Sequence, residues 1–338
     1  VIACVSHASK QSALKEYDID IQQRDAISDF VDSYKTLPLE TTKDNLIGNI
    51  NKVQIVDTCI YVLDKEQATI FVFNTEGKYL NKICRQGRAP EEYLGLSDFM
   101  VYNADVYCLS HANQKIFVYN MQGDWERTIA LDDGYERFYI QDDNTFYLFS
   151  DESNEKHYNY IVFNPLTNRV VNQLDEFEKN QGYCYEHFPF HAVDSNLLVT
   201  EQYDPTIYRL TPTEKQPLYS FLFNTQDKIY DELKTLDRAK LSQLLWGKEI
   251  LRNLHAINLK GHILTIAYSI FCHDAGIRDF ISRIDLETNT IKTIRLGDEI
   301  FVQYPFLTTI LDVHDGWFIS TIPAVLAVDK GKELDMFA

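Results

Sequence analysis

Short runs of consecutive apolar residues recur along this chain, each bounded by polar turn residues. The clearest pair is Ile70-Phe71-Val72-Phe73-Asn74-Thr75-Glu76-Gly77 and Ile116-Phe117-Val118-Tyr119-Asn120-Met121-Gln122-Gly123, 46 residues apart. Both continue through an aromatic residue, Tyr79 or Trp125, to an isoleucine, Ile83 or Ile129. Further copies follow at Ile161-Val162-Phe163-Asn164, Ile207-Tyr208-Arg209-Leu210 and Ile281-Ser282-Arg283-Ile284-Asp285. A second run precedes each copy, beginning at Ile60, Val106, Phe146, Leu197 and Ile263, and a sixth begins at Trp317. Turn signals stand before these runs: Asp57-Thr58, Asn103-Ala104, Asp142-Asp143-Asn144, Asp194-Ser195, Lys260-Gly261 and Asp315-Gly316.

Runs this short, rich in β-branched and aromatic residues, predict strands. Apolar residues on successive positions, without alternation, predict sheets covered on both faces. A unit of about 40 to 65 residues holding four strands is the size of a propeller blade, whose sheet is sandwiched between two neighbours. Six copies of the second strand predict an all-β, six-bladed β-propeller. The last blade is short of a strand after Val328, and 31–40 is expected to supply it and close the ring. One stretch departs from the pattern. Between 225 and 255, Ile229, Leu233, Leu236, Leu244 and Ile250 fall at roughly helical spacing, which predicts a small helical insertion.

Composition agrees with a large folded core: 338 residues, 45% hydrophobic and 13% aromatic, almost all Tyr and Phe. Fifty acidic against 32 basic residues give a net charge of −18, which argues against phosphate-backbone binding and hence nucleic acid. Six cysteines include no CxxC pair, so zinc-knuckle and thioredoxin readings fail. Cys59, Cys108 and Cys272 lie in or beside apolar runs and read as buried thiols; a disulfide among the internal cysteines stays open. Cys4 differs. The opening Val1-Ile2-Ala3-Cys4 is similar to the end of a bacterial lipoprotein signal peptide, and a polar stretch follows it. Residues 1–16 are therefore expected to be a lipid-anchored tether on Cys4, and 17–338 the propeller. No internal stretch is long and apolar enough to span a bilayer as a helix.

From about residue 31 the chain resembles the six-bladed β-propeller lipoproteins of bacterial cell envelopes, with NHL-like repeats. The resemblance rests on Leu37-Pro38-Leu39-Glu40-Thr41, on the strands from Ile60 and Ile70 with Glu76-Gly77-Lys78, and on Arg85-Gln86-Gly87-Arg88-Ala89-Pro90-Glu91-Glu92-Tyr93. The last segment looks like the family's Gly-x-Gly-Pro-Gly-Glu-Tyr loop, with Ala89 and Glu91 in place of glycines. The resemblance implies the fold and an envelope location, periplasmic or surface-facing, and carries no settled activity.

Strand direction alternates through a blade, so the loops fall into two sets. Those joining strands one to two and three to four are tight. Those joining strands two to three, and blade to blade, are long. Function sits on loops held by a rigid scaffold, which points to the long-loop face. The candidate ligand-binding residues there are Arg85, Arg88, Glu92, Tyr93, His111, Tyr203, His273, Asp274 and Tyr304, with Glu91, Asp151 and Glu201 nearby. Tyr183, Tyr185, His187, Phe188, Phe190 and His191 form an aromatic connector suited either to sugar stacking or to core packing. No HExxH, P-loop or GxSxG motif occurs, Pro189 interrupts the His187/His191 spacing, and no EF-hand loop is present. No metal or cofactor is expected. The sequence favours a non-catalytic lipoprotein that binds a glycan, a peptide or an envelope protein on the long-loop face. The alternative is a metal-dependent hydrolase, lactonase or lyase with its site in the propeller channel.

Overall fold

The computed structural model describes residues 14–150, 158–176, 188–224, 240, 248–272, 276–297 and 310–321. A strand near the start of the chain, β1 (Lys15–Ile19), precedes the repeats. The first blade is β2 (Lys52–Val56), β3 (Cys59–Asp64), β4 (Thr69–Asn74) and β5 (Tyr79–Ile83). The second is β6 (Asp98–Tyr102), β7 (Asp105–Ser110), β8 (Lys115–Asn120) and β9 (Trp125–Ala130). The third is β10 (Arg137–Asp142), β11 (Thr145–Phe149), β12 (Tyr158–Asn164) and β13 (Arg169–Glu176). The fourth is β14 (Phe190–Val193), β15 (Asn196–Thr200), β16 (Thr206–Leu210) and β17 (Lys215–Phe223). The fifth is β18 (Ile250–Lys260), β19 (Ile263–Cys272), β20 (Gly276–Asp285) and β21 (Ile291–Leu296). A final sheet pairs β22 (Ile310–His314) with β23 (Trp317–Ser320).

Within each blade the strands pair antiparallel in chain order, and the sheets are separate. The protein is an all-β propeller. It has five blades where six were expected, with the two-stranded sheet of β22 and β23 completing the set among the described residues. The turn signals fall where they were expected. Asp57, Asn103, Asp194 and Asp315 each adopt positive φ, between 48° and 52°, in two-residue turns that match the twist of the flanking strands.

The core is a series of apolar layers, one between each pair of neighbouring sheets. Tyr61, Tyr93, Phe99 and Phe117 fill the layer between the first and second blades; Tyr107, Phe146 and Ile161 fill the next. Tyr160, Val199 and Leu210 join the third blade to the fourth, and Phe221, Tyr268 and Phe280 join the fourth to the fifth. Ala256 and Ile281 pack with Ile310 and Phe318, and Val53, Phe71 and Phe73 pack with Leu311 and Ile319. The last layer brings β22 against β2, so the two ends of the series meet. Burial on both faces explains the runs of consecutive apolar residues.

The N-terminal segment behaves differently from expectation. Residues 31–40 form no strand. Instead β1 adds to the outer edge of the fourth blade, pairing parallel with β17. It begins at Lys15, inside the stretch expected to be tether. The chain then crosses the fifth blade, where Asp25 and Thr293 exchange two hydrogen bonds. Ile27, Phe30 and Val31 pack beside Val313 and Phe318, and Leu37 and Leu39 pack on the first blade. Glu40 N–H donates to the Gly77 carbonyl. The segment is a strap across the outside of the seam, held by side chains and isolated hydrogen bonds.

Helix is confined, among the described residues, to a 3-10 turn at Ile27–Asp29 and to Lys240. Most of the expected helical insertion, 225–239 and 241–247, lies outside the described residues. Its end does not: from Ile250 the chain is the strand β18. Two register shifts, between Leu251 and Asn253 and between Leu254 and Ala256, interrupt the alternation of β18. They leave Ile250, Leu251, Leu254 and Ile257 buried, a spacing that imitates a helix. Cys59, Cys108 and Cys272 are buried, as expected, and Cys84 is exposed.

Candidate functional site

The innermost strand of each sheet begins on the long-loop face and runs to a tight turn on the other. Residues of β2, β6, β10, β18 and β22, with the segment at β14, line one central channel of about 360 Å³. Lys52, Asp98 and Arg137 are the first residues of β2, β6 and β10, so all three stand at the long-loop mouth.

An innermost strand exposes one edge of unpaired backbone N–H and C=O groups, which need partners. Side chains of one blade supply them to the next. Gln54 Oε1 accepts from Val101 N at 2.8 Å, and Lys52 Nζ donates to the Phe99 carbonyl at 2.8 Å. One blade further on, Asp98 Oδ2 accepts from Phe138 N at 3.2 Å, and Ile140 N approaches Met100 Sδ at 3.2 Å. Lys52 Nζ also pairs with Asp98 Oδ1 at 2.7 Å, and the Asp98 side chain is almost wholly buried. These groups join blades.

Phe188 leads into β14 at the same mouth. Its ring gathers three cations: Arg137 at 4.4 Å, Lys65 at 5.5 Å and Lys52 at 5.8 Å from the centroid. Arg137 is buried, and donates to the carbonyls of Ser97 and Glu136. Glu136 also faces His111, Oε1 to Nδ1 at 2.9 Å. Burial works against its ionisation, but the hydrogen bond and charge of His111, with Arg137, hold it below the ordinary carboxylate range. Lys65 follows β3, its backbone N–H donating to Asn51 Oδ1. Burial pulls its ammonium down to about 8; repulsion from Arg137 and Lys52 adds to this, and Asp98 and Glu136 oppose it. Among the described residues its ammonium has no hydrogen-bond or ion-pair partner.

Deeper along the channel the groups are closer to neutral. Burial, helped by the charge of Arg252, lowers His255 to about 4. Its Nε2 is buried without a hydrogen-bond partner. Burial raises the carboxyl of Asp312, against a hydrogen bond from Val313 N and the attraction of Lys52 and His314. Tyr139, Phe188 and Phe190 supply aromatic wall. The channel can therefore hold a small polar molecule with a charged end at the mouth and an apolar face. Among the described residues no three His, Cys, Asp or Glu side chains converge as a metal site.

A family model described as a Domain of unknown function (DUF4934) matches residues 14–334. The chain belongs to the DUF4934 family. No curated protein matches it. A Bacteroides fragilis NCTC 9343 protein, named for presumed export, is similar in structure with TM-score 0.74 and 18% identity, covering 95% of this chain and 91% of its own. A member of the DUF4221 family from Bacteroides vulgatus ATCC 8482 is similar at TM-score 0.51 and 9% identity, covering 78% of this chain and 85% of its own. At these identities the likeness establishes the fold.

The residues singled out from the sequence are dispersed in the DUF4934 structure. Tyr93 is fully buried in the layer between the first and second blades, packed edge-on against Phe117 and Tyr119. Its hydroxyl donates toward the carbonyls of Ala68, at 2.9 Å, and Ile83, and accepts from Arg85 N. Glu92 folds its own loop, accepting from Ala89 N at 2.9 Å and covering Gly87, where a Cβ would lie 1.8 Å from Glu92 Oε2. Arg85 donates to the Gly123 carbonyl at the outer edge of the second blade, and Arg88 is exposed. Tyr203 is buried, stacked on Phe271. Of the ligand-binding candidates among the described residues, only His111, through Glu136, connects with the channel mouth. Glu201 lies between the third and fourth blades in an ion cluster with Lys215 and Asp175. His273, Asp274, Tyr304, Asp151, Tyr183, Tyr185, His187 and Cys4 lie outside the described residues.

Of the aromatic connector, Phe188, Phe190 and His191 do line the channel. Lys52, Lys65, Arg137, His255 and Asp312 were not singled out. One signal was present for the mouth: Lys52 and Asp98 are 46 residues apart, the repeat offset itself. Polar residues at the same repeat position, at the start of innermost strands, mark the mouth of a propeller.

Proposed function

We propose that this protein is a ligand-binding envelope lipoprotein that works without catalysis, with its site in the central channel and at the long-loop mouth. The observation that carries the reading is the convergence of innermost strands from every sheet on one cavity with aromatic walls, a cationic mouth and a buried, unpartnered imidazole nitrogen. Binding pockets combine a mostly apolar wall with a few convergent polar groups, and this cavity has both. The ligands that suit it are glycan or peptide ends small enough to enter. The pairing of β22 with β23 and its position against β2 support a sixth blade, the finer form of the fold proposed here.

Envelope location rests on the opening Val1-Ile2-Ala3-Cys4 and agrees with the name of the Bacteroides fragilis relative. No helix among the described residues is long and apolar enough to cross a membrane. Lipid on Cys4 would supply the anchor. Metabolic labelling with palmitate in the native host is expected to mark the wild-type protein and not Cys4→Ser; equal labelling ends the lipoprotein reading.

The site itself is tested by filling it. Ala192 faces the channel from β14. Ala192→Trp is expected to abolish binding to whichever members of an oligosaccharide and peptide panel the wild type retains, with the bound compounds recovered unaltered. Binding indifferent to Ala192→Trp would place the site elsewhere. Chemical conversion of a bound compound, lost on chelation, would show the channel to be a metal-dependent catalytic centre.

A further inference from the structure

We propose that the channel mouth takes the carboxylate of an acidic sugar unit, a hexuronate, with Lys65 as its counter-ion. This rests on the reading of the channel as the binding site and adds the class of ligand. The first ground is the distribution of charge. Three cations surround Phe188. Lys52 has Asp98 as its partner, and Arg137 lies 3.9 Å from Glu136 Oε2. Lys65 alone among them has neither a carboxylate nor a hydrogen-bond acceptor among the described residues. A half-buried ammonium in that condition is disfavoured, and an anion at the mouth relieves this. The charge stands out in a chain of net −18, which would otherwise repel anions.

The second ground is shape. A volume of about 360 Å³ is at the lower end of small-molecule pockets, which suits one sugar ring and excludes a folded partner. Tyr139, Phe188 and Phe190 offer aromatic surface to the C–H face of a pyranose. His255 Nε2 is unpartnered and Asp312 stands in the same channel, so a hydroxyl group finds both an acceptor and a donor among them. A carboxylate at one end, hydroxyls at the other and an apolar face between them describe a uronic acid.

Isothermal titration of the full chain tests this, with D-glucuronate, di-glucuronate and D-glucose as probes. The acidic probes are expected to bind, and glucose at least about tenfold more weakly. Lys65→Met should lose about tenfold or more in acidic-sugar affinity and Lys65→Arg should keep most of it. Lys65 is faced by Lys52 of β2, Asp98 of β6, and Arg137 with Glu136 at β10, and burial lowers its ammonium to about 8. Acidic-sugar affinity should therefore fall as pH rises from 7 to 9.5 in the wild type, and this fall should be absent in Lys65→Met. Circular dichroism checks that each variant is folded. Equal affinity for glucose and glucuronate, an unchanged folded Lys65→Met, or no binding by either acidic probe overturns the proposal. A neutral glycan blocked by Ala192→Trp would then leave the channel as the binding site, whereas binding insensitive to Ala192→Trp removes that reading as well.

Discussion

Tyr93 and His255 show two ways in which burial sets what a residue does. The sequence marks Tyr93 as part of an exposed loop motif, because a loop segment gives no sign of which residue turns inward. In the fold its ring closes the first inter-blade layer and its hydroxyl ties together three backbone groups. Tyr93→Phe should cost about 1–2 kcal/mol by stranding those groups. Tyr93→Ala should cost about 3–5 kcal/mol through the cavity. Urea denaturation reads both. His255 had no motif around it, since its place in the channel depends on strands far apart in sequence. Its folded pKa, about 4, lies below its ordinary 6.5. As pH falls through that window the unfolded chain takes up the proton first, so the stability this group provides is present above 6.5 and lost toward 4. The melting temperature of His255→Gln should therefore decline less steeply over that range than that of the wild type. Identical slopes would mean that His255 is not held neutral by burial.

Strands were the most legible elements. The repeated runs and their turns fixed four-stranded blades because burial on both faces and tight turns both leave local marks in a sequence. Two expectations met a different outcome. The helical insertion was read from Ile229, Leu233, Leu236, Leu244 and Ile250, and of these Ile250 alone lies among the described residues, where it opens the strand β18. The strap over 31–40 has enough apolar residues for a strand, but it meets the propeller through scattered contacts and one hydrogen bond at a time. Gly77 is where that fastening is tightest: its φ is +81°, and a Cβ there would lie 2.1 Å from the Pro38 carbonyl oxygen. Gly123 holds the corresponding turn in the second blade at φ +84°, with its nearest neighbour 3.6 Å away. Both Gly→Ala changes incur the backbone strain of about 1 kcal/mol, but only Gly77→Ala must also push the strap off the first blade. Gly77→Ala is expected to lower stability by at least about 1 kcal/mol more than Gly123→Ala and to speed amide exchange in residues 37–45. Equal losses, with unchanged exchange, would show that the strap adds nothing to closure.

At the scale of the whole molecule, the propeller matters because it assembles a site from residues that no local pattern connects. Lys52, Asp98, Arg137, Phe188, His255 and Asp312 come from different sheets and meet in one channel. The division of the loops into a long and a tight set was legible in the sequence, since the two alternate by strand parity. The channel was not, because convergence about an axis is a property of the closed ring. For the same reason the charged loop at 85–93, conspicuous in sequence, proves to be occupied with its own folding and with the neighbouring blade. A crystal structure of the protein grown with di-glucuronate decides between these two places. The expected result is density for one sugar ring in the channel beside Phe188, its carboxylate within hydrogen-bond distance of Lys65 Nζ. An empty channel, with sugar bound instead at the outer rim near Arg88, would contradict the central claim.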